Sequence, residues 1–475
     1  MCMLPLTSYA QFTKGLSYRA ETGVSFSGGE HTPFWLTANK QGLSSIEKNN
    51  GYLRVGVFRE LENDKRFSYA LGADLAVAYN FTSTFVVQQL YADLKYRCLG
   101  VSIGSKERYS EFNNPLLSSG GLTFSGNARS VPQVRIGIPE YTLVPGTKGW
   151  LAFKGHIAYG MFTDDGWQKD FVAPGGKHTE HVLYHSKDLY VKIGNKEKFP
   201  LIFEGGLEMA AQFGGNAFRG NEKIDMPNGI KDFFKVFIPS GGSSDTPMGE
   251  QTNIYGNHLG SWNFSLTWYA SQDWTVRPYY EHYFEDHSQM FGEYGWKDCL
   301  AGVEITLPKN PVIGSFVYEY ISTKDQTGPV YWDHTPEIPE QVSGADNYYN
   351  HGIYTGWQHW GMGIGNPLVM SPVYNEDGDI SFKSSRMQGH HFGIIGNLCG
   401  DLQYRILLSV TRNWGTYNLP FYEIKKNGNA LAELKYTPHT LEGWDFTASL
   451  GIDRGAMLGK SVGGMLTIRK TGWIR

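Results

Sequence analysis

Between residues 66 and 80 the chain alternates with period two. Phe67, Tyr69, Leu71, Ala73, Leu75, Val77 and Tyr79 share one parity; Arg66, Ser68, Ala70, Gly72, Asp74, Ala76, Ala78 and Asn80 share the other. Successive side chains of a strand point to opposite faces, so this stretch offers one apolar face and one small or polar face. The period returns at 201–213, where Leu201, Phe203, Leu207, Met209 and Phe213 oppose Glu204, Glu208 and Gln212. At 402–410 it sets Leu402, Tyr404, Ile406, Leu408 and Val410 against Gln403, Arg405 and Ser409. Near the C-terminus Phe446, Ala448, Leu450 and Ile452 oppose Asp445, Thr447, Ser449 and Asp453. Further strands are read at 52–61, 85–97, 101–108, 134–144, 151–162, 188–195, 262–271, 275–285, 300–307, 314–323, 388–397, 430–436 and 462–470. The total is about 18, most of about ten residues, the length a tilted strand needs to cross a bilayer. No run of about 18 apolar residues occurs, which excludes a membrane-crossing helix and leaves a closed barrel as the only way across.

Soluble sandwiches and propellers alternate as well. Two details separate them from this chain. Aromatics fall near strand ends, as in Tyr91 and Tyr96, Tyr279 and Tyr280, and Tyr318 and Tyr320, which suits the interfacial girdles of a membrane barrel. No repeat of about 40–50 residues appears, as a propeller requires. The expected fold is all-β: a single transmembrane antiparallel β-barrel of about 18 strands over residues 11–475. Composition agrees, since 29 Tyr, 27 Phe, 13 Trp and 58 Gly are spread evenly along 475 residues, as in one large architecture rather than several soluble domains. The inward parity carries both charges: Arg277, Glu281 and Glu285 on one strand, with Arg54, Asp74, Glu304 and Arg405 elsewhere. A lumen so lined is expected to hold paired charges and to be closed by loops.

A net charge of -4 argues against a nucleic-acid partner, whose phosphates need neutralising. Cys2, Cys98, Cys299 and Cys399 lie far apart and form no metal-ligand pair or disulfide framework. Residues 1–10 read as the remnant of a signal peptide: Ser8-Tyr9-Ala10 before Gln11 has the small-x-small pattern of a cleavage site, and the missing charged and apolar regions place the start codon upstream. Export to the outer membrane of a Gram-negative cell follows, with outer-membrane lipid as surroundings and a monomer as the favoured state.

Five connections are too long for turns, at 28–50, 109–132, 164–180, 216–260 and 324–372, and connections of such length carry function or are disordered. A short helix is expected at 230–238. The richest connection holds Tyr348, Tyr349, Tyr354, Trp357 and Trp360 beside Asn347, Asn350 and His351. Aromatic faces beside amides suit a pyranose, which offers a CH face for stacking and hydroxyls for bonding. The equal alternative is that these rings pack on one another as a plug. Trp357, Trp360, Tyr348 and Tyr349, supported by Trp332 and Trp167, are the candidate polysaccharide contacts.

Other motifs carry little chemistry. His390 and His391 are neighbours on a strand and point to opposite faces, so they do not form a metal pair. His178, His181 and His185 have a helical spacing inside a strand pattern. Glu204 with Glu208 and Glu281 with Glu285 share strand faces, and lumen salt bridging explains them better than glycosidase catalysis. Gly361 to Gly365 (GMGIG) reads as a flexible turn. No catalytic residue, cofactor or metal is expected.

Several segments resemble the Wzi-type capsule assembly family of outer-membrane proteins: Thr32-Pro-Phe-Trp-Leu-Thr-Ala-Asn-Lys-Gln-Gly42, Gly166-Trp-Gln-Lys-Asp-Phe171, Lys187-Asp-Leu-Tyr-Val-Lys-Ile-Gly194, Asn257-His-Leu-Gly-Ser-Trp262, and Tyr348-Tyr-Asn-His-Gly-Ile-Tyr-Thr-Gly-Trp357 leading to Gly365-Asn-Pro-Leu368. The resemblance implies an 18-stranded barrel closed by loops, acting as a non-enzymatic surface lectin for capsular polysaccharide or exopolysaccharide. It departs at Trp473-Ile474-Arg475, where many such barrels end on an aromatic residue. The rival reading, drawn from the polar inward faces, is a channel for small solutes.

Overall fold

Alternation becomes wall geometry in the computed structural model, which describes residues 15–62, 65–239, 255–270, 274–285, 287–292, 295–308, 310, 312–328 and 345–474. The period-two segments form one antiparallel sheet of 18 strands. In chain order they are β1 (Leu16–Gly29), β2 (Asn49–Arg59), β3 (Phe67–Tyr79), β4 (Phe85–Tyr96), β5 (Leu99–Ser105) and β6 (Gln133–Leu143). There follow β7 (Leu151–Met161), β8 (Leu183–Ile193), β9 (Leu201–Phe213), β10 (Asn257–Tyr269), β11 (Thr275–Phe284) and β12 (Cys299–Thr306). The circuit ends with β13 (Ser315–Ser322), β14 (Arg386–Cys399), β15 (Leu402–Gly415), β16 (Pro420–Tyr436), β17 (Trp444–Gly455) and β18 (Gly459–Trp473). Each strand pairs with the next, and β18 pairs back with β1 from Ser17↔Trp473 to Gly29↔Ser461, so the sheet has no edge. The signal remnant lies outside the described residues.

β3 has the two faces read from its sequence: Phe67, Leu71, Leu75, Val77 and Tyr79 are exposed, while Ser68, Ala70, Asp74, Ala76 and Ala78 are buried. The same sorting leaves Leu53, Val55, Ile136, Leu450 and Leu466 between 49% and 60% exposed on the outer wall. An apolar band of this extent around a closed barrel is solvated by lipid, not water. The aromatic pairs split between the faces. Tyr96, Tyr280, Tyr318 and Tyr320 have the outward parity, whereas Tyr279 donates to Glu319 inside and Tyr91 lies under the Lys106 amine. Neighbouring residues cannot share a face, and a bulge at Gln88 shifts the parity of β4, so Gln88 and Gln89 both reach inward.

β1 was not anticipated, and β16 begins ten residues earlier than expected, at Pro420 against 430. β1 alternates, but Ala20 and Thr22 share its outward parity with Val24 and Phe26, which dilutes the apolar signal.

The connections at the end holding both termini are short: 60–66, 97–98, 144–150, 194–200, 270–274, 307–314, 400–401 and 437–443. Every long connection leaves the opposite end, the arrangement that puts short turns in the periplasm and long loops outside. Loops 30–48, 106–132, 162–182 and the described part 345–385 of the connection after β13 fold back into the lumen, where Trp35, Leu117, Leu122, Trp357 and Phe382 join wall residues Leu259, Leu300, Val317 and Ile321 in one buried cluster. The lumen is closed by these loops.

Its charges are paired. Asp74, fully buried, takes Arg54 at 2.5 Å and Arg19 at 2.8 Å, and Arg54 also reaches Glu107 at 2.7 Å. Arg405 meets Glu433 at 2.9 Å, Arg277 meets Glu304, and Glu204 meets Lys192 at 3.0 Å. Salt bridging does not extend to every carboxylate named above. Glu208 accepts from Tyr190 (3.0 Å) and Ser261 (3.1 Å), and Glu281 and Glu285 accept backbone amides of the plug.

Asp74→Ala leaves two inward guanidiniums without their shared carboxylate, a loss of about 3–5 kcal/mol. The folded, fast-migrating band of unboiled protein on a denaturing gel is expected to disappear at a lower temperature than in the unaltered chain; an unchanged transition contradicts the pairing.

Candidate functional site

A loop buried in a lumen must find partners for its backbone amides, since no ladder supplies them. Here wall carboxylates do so. Glu281 accepts from the Leu122 amide through both oxygens (2.9 and 2.8 Å) and from Thr123 at 3.0 Å. Glu319 accepts from the Ser119 amide at 2.8 Å and from the Ser118, Ser119 and Tyr279 hydroxyls at 2.5–2.6 Å. Asp453 takes the Phe34 amide at 2.7 Å at the start of the short helix α1 (Phe34–Thr37). Gly120, with φ of 108°, lets the chain turn so that these amides face the wall. His391 bonds the Leu117 carbonyl at 2.8 Å, while exposed His390 bonds Tyr318 outside at 2.8 Å, which places the two histidines on opposite faces.

The plug sorts the candidate aromatics. Tyr348, Tyr349 and Trp357 are at most 1% exposed. Trp357 Nε1 donates to the Thr123 carbonyl at 2.8 Å, the Tyr348 hydroxyl to Asp298 at 2.9 Å, and the Tyr349 hydroxyl to the Leu122 carbonyl. These three pack the plug and present no face to the medium, which is the alternative weighed for them above. Trp332 lies outside the described residues. The remaining pair, Trp167 and Trp360, come together at the outer mouth.

There a cleft of about 190 Å³ opens between five segments, lined by Ser44, Glu47, Asn80, Thr82, Arg129, Trp167, Phe171 and Trp360 among others. Residues 358–359 and 362–363 form a minimal hairpin, pairing Gln358↔Gly363 and His359↔Met362. Its two tip residues, Trp360 (φ 56°) and Gly361 (φ 80°), are both left-handed, the backbone of a type I′ turn. Glycine takes this conformation freely; tryptophan does so at a cost of about 1–3 kcal/mol. The GMGIG segment is therefore a packed hairpin and not a flexible turn: a Cβ on Gly361 would stand 2.6 Å from the Trp167 ring. Trp167 and Phe171 sit one turn apart on α2 (Asp165–Phe171), a helix not foreseen, with rings stacked at 4.9 Å.

Arg129 completes the cleft, and no motif singled it out. Its guanidinium stands 4.5 Å from the Trp360 ring centroid and donates to the Thr82 hydroxyl at 3.0 Å, while its buried Nε has no hydrogen-bond partner among the described residues. Burial pulls its pKa down to about 10, so it stays charged at neutral pH. The opposing charge comes from Asp164, whose oxygens already serve the Trp360 amide and the Gln358 and Gln168 side chains at 3.1 Å. The cleft thus combines an indole, a cation with spare donor capacity, and amide, carboxyl and hydroxyl groups, a set able to hold a sugar ring by stacking and hydrogen bonds.

Beneath the plug, on the periplasmic side, a second cavity of about 400 Å³ is lined by Arg19, Glu21, Lys40, Arg405, Glu433 and Arg469 among others. His178, His181 and His185 do not converge: His178 stacks on Phe218, His181 faces Asp165, and His185 lies on the outer wall. Among the described residues no three metal-ligating side chains cluster.

No family model matches the sequence, and no curated protein sequence matches it. Solved structures do. Wzi of Escherichia coli, described as an outer-membrane protein involved in group 1 capsule assembly and a carbohydrate-binding β-barrel, superposes with a TM-score of 0.58 at 11% identity, covering 97% of this chain and 86% of that one. OpdQ of Pseudomonas aeruginosa gives 0.47 at 8% identity, with 96% of each chain covered. OccAB2 of Acinetobacter baumannii gives 0.46 at 10% identity over 98% and 99%. The likeness to Wzi is one of fold, and the fold is that of an outer-membrane barrel.

Removing both grips in Glu281→Ala/Glu319→Ala strands at least three buried amides, each worth about 1–3 kcal/mol. Planar-bilayer recordings are expected to show conductance steps absent from the unaltered protein. A silent bilayer for the double variant means that the plug is held by other contacts.

Proposed function

We propose that this barrel is a non-catalytic surface lectin that binds capsular polysaccharide or exopolysaccharide at the outer face of the outer membrane and helps its attachment there. The observation that carries the proposal is Trp360, held in a left-handed turn at the mouth of the cleft and overlaid by Arg129. Backbone strain at a half-buried aromatic is kept only where its surroundings fix it, and such positions cluster at ligand sites. Half-buried Trp360 supplies ring surface, and Trp167, buried to 8% exposure, backs it from the cleft wall. Arg129 and the Glu47, Asn80 and Thr82 side chains supply polar contacts to hydroxyls. Because Arg129 shares its opposing carboxylate with three other donors, the favoured sugar carries an acidic group. Tyr348, Tyr349 and Trp357 support the hairpin from below rather than touching the polymer. The fold shared with Wzi, a barrel described as carbohydrate-binding, supports the same reading.

A solute channel is the second reading, favoured by the charged cavity beneath the plug. It requires the plug to move, and conductance by the unaltered protein would favour it.

Purified protein in detergent is expected to be retained on the native capsular polysaccharide and to leave its chain length unchanged. Trp360→Ala and Arg129→Gln should each weaken retention about tenfold, or about 1.4 kcal/mol, with the folded gel band intact. Neutralising the acidic groups of the polymer should erase the difference between Arg129 and its variant. Absence of retention by the unaltered protein defeats the proposal.

A further inference from the structure

The 214–256 connection sends a helix, α3 (Ile230–Phe237), over the outside of the wall and not into the lumen. Its footing is a set of outward-facing side chains. On β7, β8 and β9 the lumen takes His156, Asp188 and Glu208, so Tyr159, His185, Lys187 and Phe213 have the opposite parity. Phe233 of the helix packs on Tyr159 and on Phe213, each at a ring distance of 5.1 Å, and its carbonyl accepts the Tyr159 hydroxyl at 2.9 Å. The Lys187 ammonium donates to the Phe237 carbonyl in the last turn and lies 5.0 Å from that ring centroid, so the negative end of the helix receives a cation.

Register fixes the level at which this happens. Lys187 stands opposite Ile157, and Ile157 opposite Ile136. Those two side chains are 41% and 56% exposed and belong to the apolar belt. The helix therefore covers a lysine at a depth where the neighbouring strands present hydrocarbon-facing residues. Its far side carries an apolar stripe beside exposed Lys231: Ile230 and Phe234, one turn apart, and Ile238 just beyond the helix are 81%, 69% and 68% exposed. Such a stripe is a liability in water, but here it continues the belt outward from the wall.

We infer that α3 is a lipid-embedded buttress, which seals the outward lysine from hydrocarbon and sets Ile230, Phe234 and Ile238 among acyl chains of the outer leaflet. The occupant of the stripe is lipid, because it joins a surface that lipid already covers.

The test attaches an environment-sensitive fluorophore at Phe234→Cys and, separately, at Ile230→Cys, in chains whose Cys2, Cys98 and Cys399 are serine. Each is reconstituted in phosphatidylcholine vesicles with or without nitroxide on the acyl chains. Leu466→Cys in the belt gives the lipid reference; Glu222→Cys, exposed on the hairpin before α3, gives the aqueous one. Heat-modifiable migration verifies folding of every variant, and two labelled positions guard against one that misfolds. Both labels on α3 are expected to lose fluorescence to the nitroxide as the Leu466 label does, and to resist aqueous iodide. Quenching by nitroxide no deeper than at Glu222 overturns the inference. Resistance to both quenchers, with a dimer in detergent that Phe234→Asp converts to monomer, gives the stripe to a second copy of the chain and overturns it equally.

Discussion

Every backbone amide and carbonyl in a bilayer must be bonded within the protein, because hydrocarbon offers no partner. The pairing of β18 with β1 meets this condition by removing the two edges that any open sheet would leave. Once the sheet is closed, period two has only one outcome: each strand has a lipid face and a lumen face, and every apolar residue of the right parity joins a continuous belt. The separation of short turns from long loops follows too, since the long connections all leave the end opposite the termini.

Closure also creates the problem that the plug solves. A barrel of 18 strands encloses more space than its own inward side chains fill. The loops that enter bring irregular backbone, whose amides need acceptors. Wall carboxylates answer that need, with Glu281 on Leu122 and Thr123, Glu319 on Ser119, and Asp453 on Phe34. The wall shapes itself to the plug in return. At Gly393 a Cβ would stand 2.4 Å from the Leu117 carbonyl, so β14 is bare where the loop crosses it. The mouth cleft rests on this packed base: Trp357 and Tyr349 beneath it are immobilised by hydrogen bonds to the loop that Glu281 grips. The geometry of the mouth cleft thus depends on carboxylates within the barrel.

Local sequence was a good guide where one constraint acted alone. In β3 the residues alternate without exception, and the structure sorts them as read. It was a poor guide where a second influence intervened. The bulge in β4 reversed the parity of Tyr91, and no propensity marks Gln88 as the inserted residue. In β16, Glu423, Lys425 and Lys426 interrupt the apolar parity ahead of Asn427, so the strand looked like loop. The short helix in 216–260 was legible from its apolar spacing, yet its place on the outer wall was not.

The sequence by itself pointed to a barrel of about 18 strands, since alternation, aromatics near strand ends and the lack of a propeller-length repeat favour a membrane barrel, and without a long apolar run only a closed sheet can cross a membrane. It also determined which residues of an unbroken strand such as β3 face lipid and which face the lumen, because parity is a local property wherever no bulge intervenes. Only the tertiary structure decided which loop aromatics are buried and which are presented. Tyr348, Tyr349, Trp357 and Trp360 share one short, ring-rich segment, yet three pack the plug and the fourth stands at the cleft. That outcome depends on contacts between residues more than two hundred positions apart, such as Trp357 with Thr123 and Asn366 with Ser119. Loops have no period to carry such information, so the partner a ring meets is fixed by the closed wall that brings the loops together.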